Sequence, residues 1–331
     1  MSELRWNPLL GEWVATATHR QDRTFLPPKD FCPLCPTKPG GFPTEVPEPT
    51  YDIVVFDNRF PSLVLEPPPP AVAPTELYPV APAAGACEVV LYSPDHGTSL
   101  ARQPATQIHK LIQVWTDRYR ELGALEFVKY VFIFENKGEE IGVTLHHPHG
   151  QIYAYPFIPP MIQRELETSR AHHARTGHCL LCTIGDEERR GERRLVAQNE
   201  SFSAYLPFFA RWPYEVHISP RRHVTDLTAF TAAEAQELAA ILKSVLVGYD
   251  AVFDRSFPYV MALHQSPSDG GNYEHYHFHI ELYPPLRTAT KLKYLAGSEI
   301  GAGVFVNDTL AEETASTLRS KCPPALFESL G

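Results

Sequence analysis

His146-His147-Pro148-His149-Gly150-Gln151-Ile152-Tyr153-Ala154 is the stretch on which the reading of this chain turns. In an extended strand successive side chains point to opposite faces, so His147, His149 and Gln151 share one face while Pro148, Gly150 and Ile152 take the other. A second stretch, 275–282, repeats the alternation, with His275, His277, His279 and Glu281 on one side and Tyr276, Phe278, Ile280 and Leu282 opposite. Each is expected to bury one face and to carry polar chemistry on the other.

The same order of features surrounds both stretches, so the chain reads as one unit written twice. The first passes from Cys32-Pro33-Leu34-Cys35 through strand-like segments at 54–60 and 88–100, a helix and a strand at 128–136 to His147. The second passes from Cys179-Leu180-Leu181-Cys182 through 201–208 and 215–227, a helix and 259–265 to His277. Both contain a Ser-Pro turn with a histidine just beyond it, His96 or His223. The division is expected as 1–165 and 166–331. Thr231 and Glu234 form a capping box for a helix whose Leu238, Leu242, Val245 and Tyr249 recur every three or four residues. Its counterpart aligns Ile108, Leu111, Trp115, Tyr119 and Leu122, and each helix is expected to cover one sheet.

Composition narrows the class. The 331 residues are 44% apolar and 21% charged, enough for one large core or two ordinary ones and too apolar for a disordered chain. With 29 Lys and Arg against 39 Asp and Glu, the net charge of −10 argues against nucleic acid as a partner. No stretch approaches the ~18 apolar residues of a membrane span, and Met1 onward lacks the apolar core of a signal peptide, so the protein is expected to be cytoplasmic, with no membrane partner. Pro67 to Pro70 marks a surface loop.

Two cysteines two residues apart can supply two of the four ligands of a tetrahedral Zn²⁺ from one turn of chain. In a reducing compartment such pairs are metal ligands more often than disulfides, and 15 histidines favour that over a redox pair. Matching positions nominate Cys32, Cys35, His96 and His147 for one closed structural site, and Cys179, Cys182, His223 and His277 for the second. That makes two zinc ions per chain, with iron as the alternative at the second. A rival second set, Glu165, His264, His279 and Glu281, would suit iron or zinc. It ranks lower because it leaves Cys179 and Cys182 without a role.

With His147 assigned to metal, His149 is the candidate nucleophile. A neutral imidazole is nucleophilic near pH 7, and a bond from one ring nitrogen to a backbone carbonyl leaves the other free to attack phosphorus. Gly150 permits close approach of a phosphate, and Gln151 can donate to its oxygens as charge develops.

The His146 to Ala154 motif resembles the active-site signature of the galactose-1-phosphate uridylyltransferase branch of the histidine triad superfamily. The likeness extends from His19 and Arg20 through 32–35, 54–60, 93–100 and 134–138 to 283–299. It implies an α+β fold of two tandem histidine-triad-like repeats, with antiparallel sheets forming a half-barrel flanked by helices. It also implies a two-step exchange in which His149 takes UMP from UDP-glucose and galactose 1-phosphate collects it. The catalytic set would be His149, Gln151 and Thr144. Asn58 and Phe60 would line the uridine pocket, Asn136, Thr144 and Gln151 would meet phosphates, and Arg20, Arg23 and Lys293 would balance the sugar phosphate. Glu299 would reach the hexose, and the segment bearing Lys293 and Glu299 would serve a neighbouring subunit, implying a homodimer. Three positions depart from the family pattern: Thr144 replaces a serine, Arg59 an aspartate, and Phe305 stands near an expected glutamine. A plant-type relative that uses ADP-glucose and phosphate supplies the alternative, a nucleoside diphosphate hexose phosphorylase or adenylyltransferase with the same nucleophile.

Overall fold

The computed structural model describes residues 2–23 and 26–327. In chain order its elements are β1 Ser2–Asn7, β2 Glu12–Ala17, β3 Val54–Asp57, β4 Val80–Pro82, β5 Ala86–Leu91, α1 Ala105–Gly123, β6 Tyr130–Lys137 and β7 His149–Tyr155. Then come α2 Pro160–Thr176, α3 Leu180–Gly191, β8 Leu195–Gln198, β9 Phe202–Tyr205, β10 Val216–Pro220, α4 Ala232–Val252, β11 Tyr259–His264, β12 His279–Tyr283 and α5 Ala311–Arg319.

Nine of these strands form one antiparallel sheet in the order β3-β5-β7-β6-β11-β12-β10-β9-β8. The order is a palindrome about the β6–β11 seam, with β8 added at one end. Register makes the symmetry residue-specific. Phe134 of β6 lies opposite Gln151 of β7, and Ala262 of β11 lies opposite Glu281 of β12. Phe134 and Ala262 also face each other across the seam, so a pseudo-two-fold axis passes between them. The fold is α+β with no closed barrel, as expected. The expectation of one sheet under each helix is corrected, because both halves share a single continuous sheet. The division expected at 165/166 falls inside α2.

The two helices pack side by side on one face of this sheet. Ile108, Leu111, Trp115 and Leu122 of α1 join Leu238, Leu242, Val245 and Tyr249 of α4 over Val90, Ile133, Ile152, Ile218, Leu263 and Ile280. Fully burying a side chain of this size contributes about 2 kcal/mol, so this shared layer dominates stability. The capping box forms as read: Thr231 Oγ1 accepts from the Glu234 amide at 3.2 Å, and Glu234 Oε2 accepts from the Thr231 amide at 2.8 Å.

Two expected strands are shorter than their alternation suggested. Asn58 turns the chain after β3 by accepting from the Phe60 amide through its side chain at 2.9 Å, so the strand stops at Asp57. Residues 275–278 precede β12, with the Phe278 amide donating to the Val224 carbonyl at 2.8 Å. The polar face of that second stretch is also buried, not presented: His275, His277, His279 and Glu281 are all below a tenth exposed. The Pro67 to Pro70 segment is irregular, as expected.

A small sheet, β2-β1-β4, leads into a 3-10 turn at Thr18–Asp22. His19 Nε2 donates to the Pro61 carbonyl at 2.9 Å and Arg20 Nη1 to the Phe60 carbonyl at 2.8 Å, which fastens this arm beside β3. Gly85 is required where the arm meets the main sheet: at φ +153° an added Cβ would lie 2.3 Å from the Ala154 carbonyl oxygen.

Candidate active site

His149 is the first residue of β7 and is half-buried at the wall of a cavity. Its Nδ1 donates to the carbonyl of His147 at 2.8 Å, leaving the Nε2 lone pair as the free one. Burial pushes the imidazole below its ordinary pKa, the hydrogen bond to His147 opposing, so the ring is neutral at pH 7. The cavity brings together Arg20, Arg23, Asn58, Phe60, Thr144 and Gln151 around His149. An adjoining cavity contains Asn136, and His149 borders both. One residue beyond the Glu135–Gly150 pair that ends the β6–β7 register, Asn136 comes level with His149, as His264 of β11 pairs with His279 of β12. Gly138, at φ +104°, turns the chain away immediately after this strand, where a Cβ would meet Pro258 at 2.6 Å.

His147 precedes β7 and is fully buried. Its Nδ1 lies 3.5 Å from Cys35 Sγ, while its Nε2 donates to the Ser93 carbonyl at 2.9 Å. Tyr51 brackets the same ring, with its hydroxyl on the Ser93 carbonyl and 2.9 Å from Nε2. Burial lowers the His147 pKa to about 4. The tautomer with its proton on Nε2 points an Nδ1 lone pair at the cysteines, the arrangement a metal-ligating histidine needs.

Among the described residues, three groups of side chains could hold metal. The ligand atoms within each of them lie within 4.8 Å of one another. Cys32, Cys35, His96 and His147 form the first, and Cys179, Cys182, His223 and His277 the second. In the second, His277 Nδ1 lies 3.3 Å from Cys182 Sγ and its Nε2 3.1 Å from the Pro220 carbonyl, the same tautomeric logic as His147. Two sulfurs and two imidazole nitrogens suit tetrahedral zinc in both. The third group is Glu165, His264, His279 and Glu281. His264 Nδ1 is 2.9 Å from Glu165 Oε2, and His279 Nδ1 donates to the His277 carbonyl at 3.0 Å, leaving its Nε2 3.4 Å from Glu281 Oε1. Two nitrogens and two carboxylates suit iron or zinc. The second and third groups share no residue, so one does not preclude the other.

Sequence and fold comparisons agree on the family. Residues 1–159 match the family described as galactose-1-phosphate uridyl transferase, N-terminal domain, and residues 165–328 match its C-terminal domain. This chain belongs to the galactose-1-phosphate uridylyltransferase family. A family relative named galactose-1-phosphate uridylyltransferase from Thermotoga maritima is 45% identical, covering 96% of this chain and 98% of its own. One of that name from Haemophilus influenzae is 35% identical over 96% and 93%. A solved structure described as that of a uridylyltransferase superposes with a TM-score of 0.87 at 38% identity, covering 96% of this chain and 98% of its own. An ADP-glucose phosphorylase from Arabidopsis thaliana shares the fold, with a TM-score of 0.72 at 22% identity over 96% and 98%.

Of the residues the family resemblance nominated, Lys293 and Glu299 stand apart. Lys293 Nζ lies 3.0 Å from Glu299 Oε1 and also donates to the Val306 carbonyl. The Lys293 ammonium holds Glu299 down at about 2. Neither residue lines the cavities at His149. Two departures from the family pattern are also placed. Arg59 pairs with Glu45 at 3.1 Å beside the Phe60 ring, and Phe305 lies under the Arg211 guanidinium.

Sequence reasoning missed Tyr51 and the supports of Glu281. His217 Nε2 lies 3.0 Å from Glu215 Oε1 and 3.2 Å from Glu281 Oε1, and Arg211 Nη2 lies 3.3 Å from Glu281 Oε2. The alternation of Glu215 and His217 was a usable signal; Tyr51 carried none.

Proposed function

We propose that this protein transfers a uridylyl group from UDP-glucose to galactose 1-phosphate, with His149 carrying UMP between two half-reactions. The observation that carries the reading is the bond from His149 Nδ1 to the His147 carbonyl, which leaves Nε2 with its lone pair at a cavity that also holds Arg20, Arg23, Thr144 and Gln151. In the first half-reaction an Nε2–phosphorus bond forms at the α-phosphate as the bond to the glucose 1-phosphate oxygen breaks. In the second, a phosphate oxygen of galactose 1-phosphate attacks that phosphorus and the nitrogen leaves. Gln151, Thr144 and Asn136 donate to the phosphate oxygens, and Asn58 and Phe60 receive the nucleoside. Arg20 and Arg23 offset the charge of the sugar phosphate.

Cys32, Cys35, His96 and His147 would hold one zinc, and Cys179, Cys182, His223 and His277 another, both closed and structural. Glu165, His264, His279 and Glu281 would hold zinc or iron. When bound, the first ion would stiffen the approach to β7. Lys293 and Glu299 would serve the cavity of a second copy, making the enzyme a homodimer; neither lines the two cavities at His149 of its own chain, which supports this. The two repeats meet within α2, at 165/166. Among the described residues no helix is long and apolar enough to cross a membrane, and we place the enzyme in the cytoplasm, acting on small molecules without nucleic acid or a membrane.

Labelled UDP-glucose and ADP-glucose, incubated separately with the enzyme, test the reading. The uridine donor should leave an acid-labile adduct on His149 that galactose 1-phosphate discharges. Label from ADP-glucose alone, discharged by phosphate, would establish the phosphorylase alternative instead.

A further inference from the structure

We infer that Tyr153 is a positioning residue for the transfer, fixing the amide of Gln151 so that its N–H groups face the reacting phosphate. The inference rests on the proposed function and deepens it. Tyr153 follows His149 and Gln151 on the same face of β7, one side chain further from the nucleophile. It does not line the cavity that His149 and Gln151 line, so it reaches substrate only through its neighbours.

The argument is an accounting of protons. Tyr153 Oη lies 3.4 Å from Gln151 Oε1 and donates to it. The Arg20 guanidinium stands near the same phenol, and its charge opposes the rise in pKa that burial imposes on the hydroxyl. A guanidinium is a cation with only donors, so the phenol oxygen turns its lone pairs towards Arg20 and its single hydrogen points away. Gln151 Oε1 is the acceptor in place. If the amide were turned over, its NH₂ would meet an oxygen already facing a cation, and the phenolic hydrogen would lose that partner. The amide is therefore oriented, with oxygen towards Tyr153 and nitrogen towards the cavity, where negative charge develops on phosphate oxygens.

The ring itself is held. Its centroid is 5.1 Å from Phe134, edge to face, and 6.0 Å from Tyr155, and Phe134 is the cross-strand partner of Gln151. In the second half, the residue at the matching position is Tyr283, whose hydroxyl donates to Glu281. The same two-residue relation thus serves a carboxylate in one half and an amide in the other.

The test is single-turnover formation of the His149 adduct from UDP-glucose in four proteins: wild type, Tyr153→Phe, Gln151→Ala and the double variant. Tyr153→Phe should slow adduct formation about tenfold with KM for UDP-glucose within about twofold of wild type, because orientation matters at the transition state and little in the ground state. In the Gln151→Ala background the same change should cost less than about twofold, since two residues acting through one group are not additive. A Tyr153→Phe protein as fast as wild type, or an equal tenfold loss in both backgrounds, overturns the inference alone. A wild-type protein that forms no adduct overturns the functional reading and the inference with it.

Discussion

His149 and His279 occupy the same place in the two halves and have opposite surroundings. Each donates its Nδ1 proton to the carbonyl of a histidine two residues earlier, at 2.8 and 3.0 Å. Beyond His149 lies a cavity; beyond His279 lie Glu281 and Glu165. The difference traces to three matched positions. Gln151 corresponds to Glu281, Asn136 to His264, and Val89, opposite Gln151, to His217, opposite Glu281. Neutral side chains in the first half leave room and hydrogen-bond donors for an incoming phosphate. Ionisable ones in the second fill the same volume with a closed network of charge. Duplication therefore preserved the backbone device that aims an imidazole and changed what stands in front of it.

Exchanging the two histidines is the sharpest way to break that contrast. His149→Gly should lower uridylyl exchange by about a thousandfold or more, whereas His279→Gly should keep the covalent adduct and lose metal, read by elemental analysis of the purified proteins. Equal loss of exchange in both would mean that the halves are not divided in this way.

The two cysteine pairs sharpen it next. A structural metal contributes its binding energy to folding, so with zinc held as proposed Cys32→Ser should lower the melting temperature by roughly 10 °C or more and slow adduct formation, because His147 faces Cys35 and its carbonyl accepts from His149 Nδ1. Cys179→Ser should cost stability and leave the adduct rate near wild type, since no member of its group bonds His149. Calorimetry beside the single-turnover assay separates the two outcomes.

A third difference lies under the helices, where Glu135 takes the position that Leu263 fills in the second half. Glu135 is buried and accepts from Tyr92 at 2.9 Å and Tyr259 at 3.3 Å, and its other oxygen has no partner among the described residues. Burial raises its pKa to about 7 from 4.5. Between those values the folded chain keeps a proton that the unfolded chain has released, so stability falls as pH climbs through this window, by about 3 kcal/mol in all. Glu135→Gln should remove that slope. Its melting temperature should match wild type near pH 5 and exceed it at pH 8.

Much of this was legible in the residues because strand periodicity is rigid. The alternation at 147–151 and at 277–281 singled out His147 and His277, and the matched Ser-Pro turns led to His96 and His223, which the fold brings beside the two cysteine pairs. Helix faces were legible for the same reason, from apolar spacing at Ile108 to Leu122 and Leu238 to Tyr249. The fusion of the halves was not, since a strand carries no mark of which neighbour it pairs with and β6–β11 pairing joins residues far apart in sequence. Nor was the formation of two separate candidate groups, one with His277 and one with His279. Adjacent polar residues on one face can turn to different partners, and only packing decides which. The Lys293–Glu299 pair was hidden for a similar reason, since a loop brings together two charges that family likeness had assigned to substrate.

The seam between β6 and β11 has a consequence for how the molecule can be taken apart. Cleaving the connection between β7 and α2 would leave each fragment with one long edge of unpaired amides and carbonyls, complementary to the other and to little else. Such fragments, made together, carry in that edge the instruction to reassemble, so the enzyme is built to tolerate a broken chain better than a separated one.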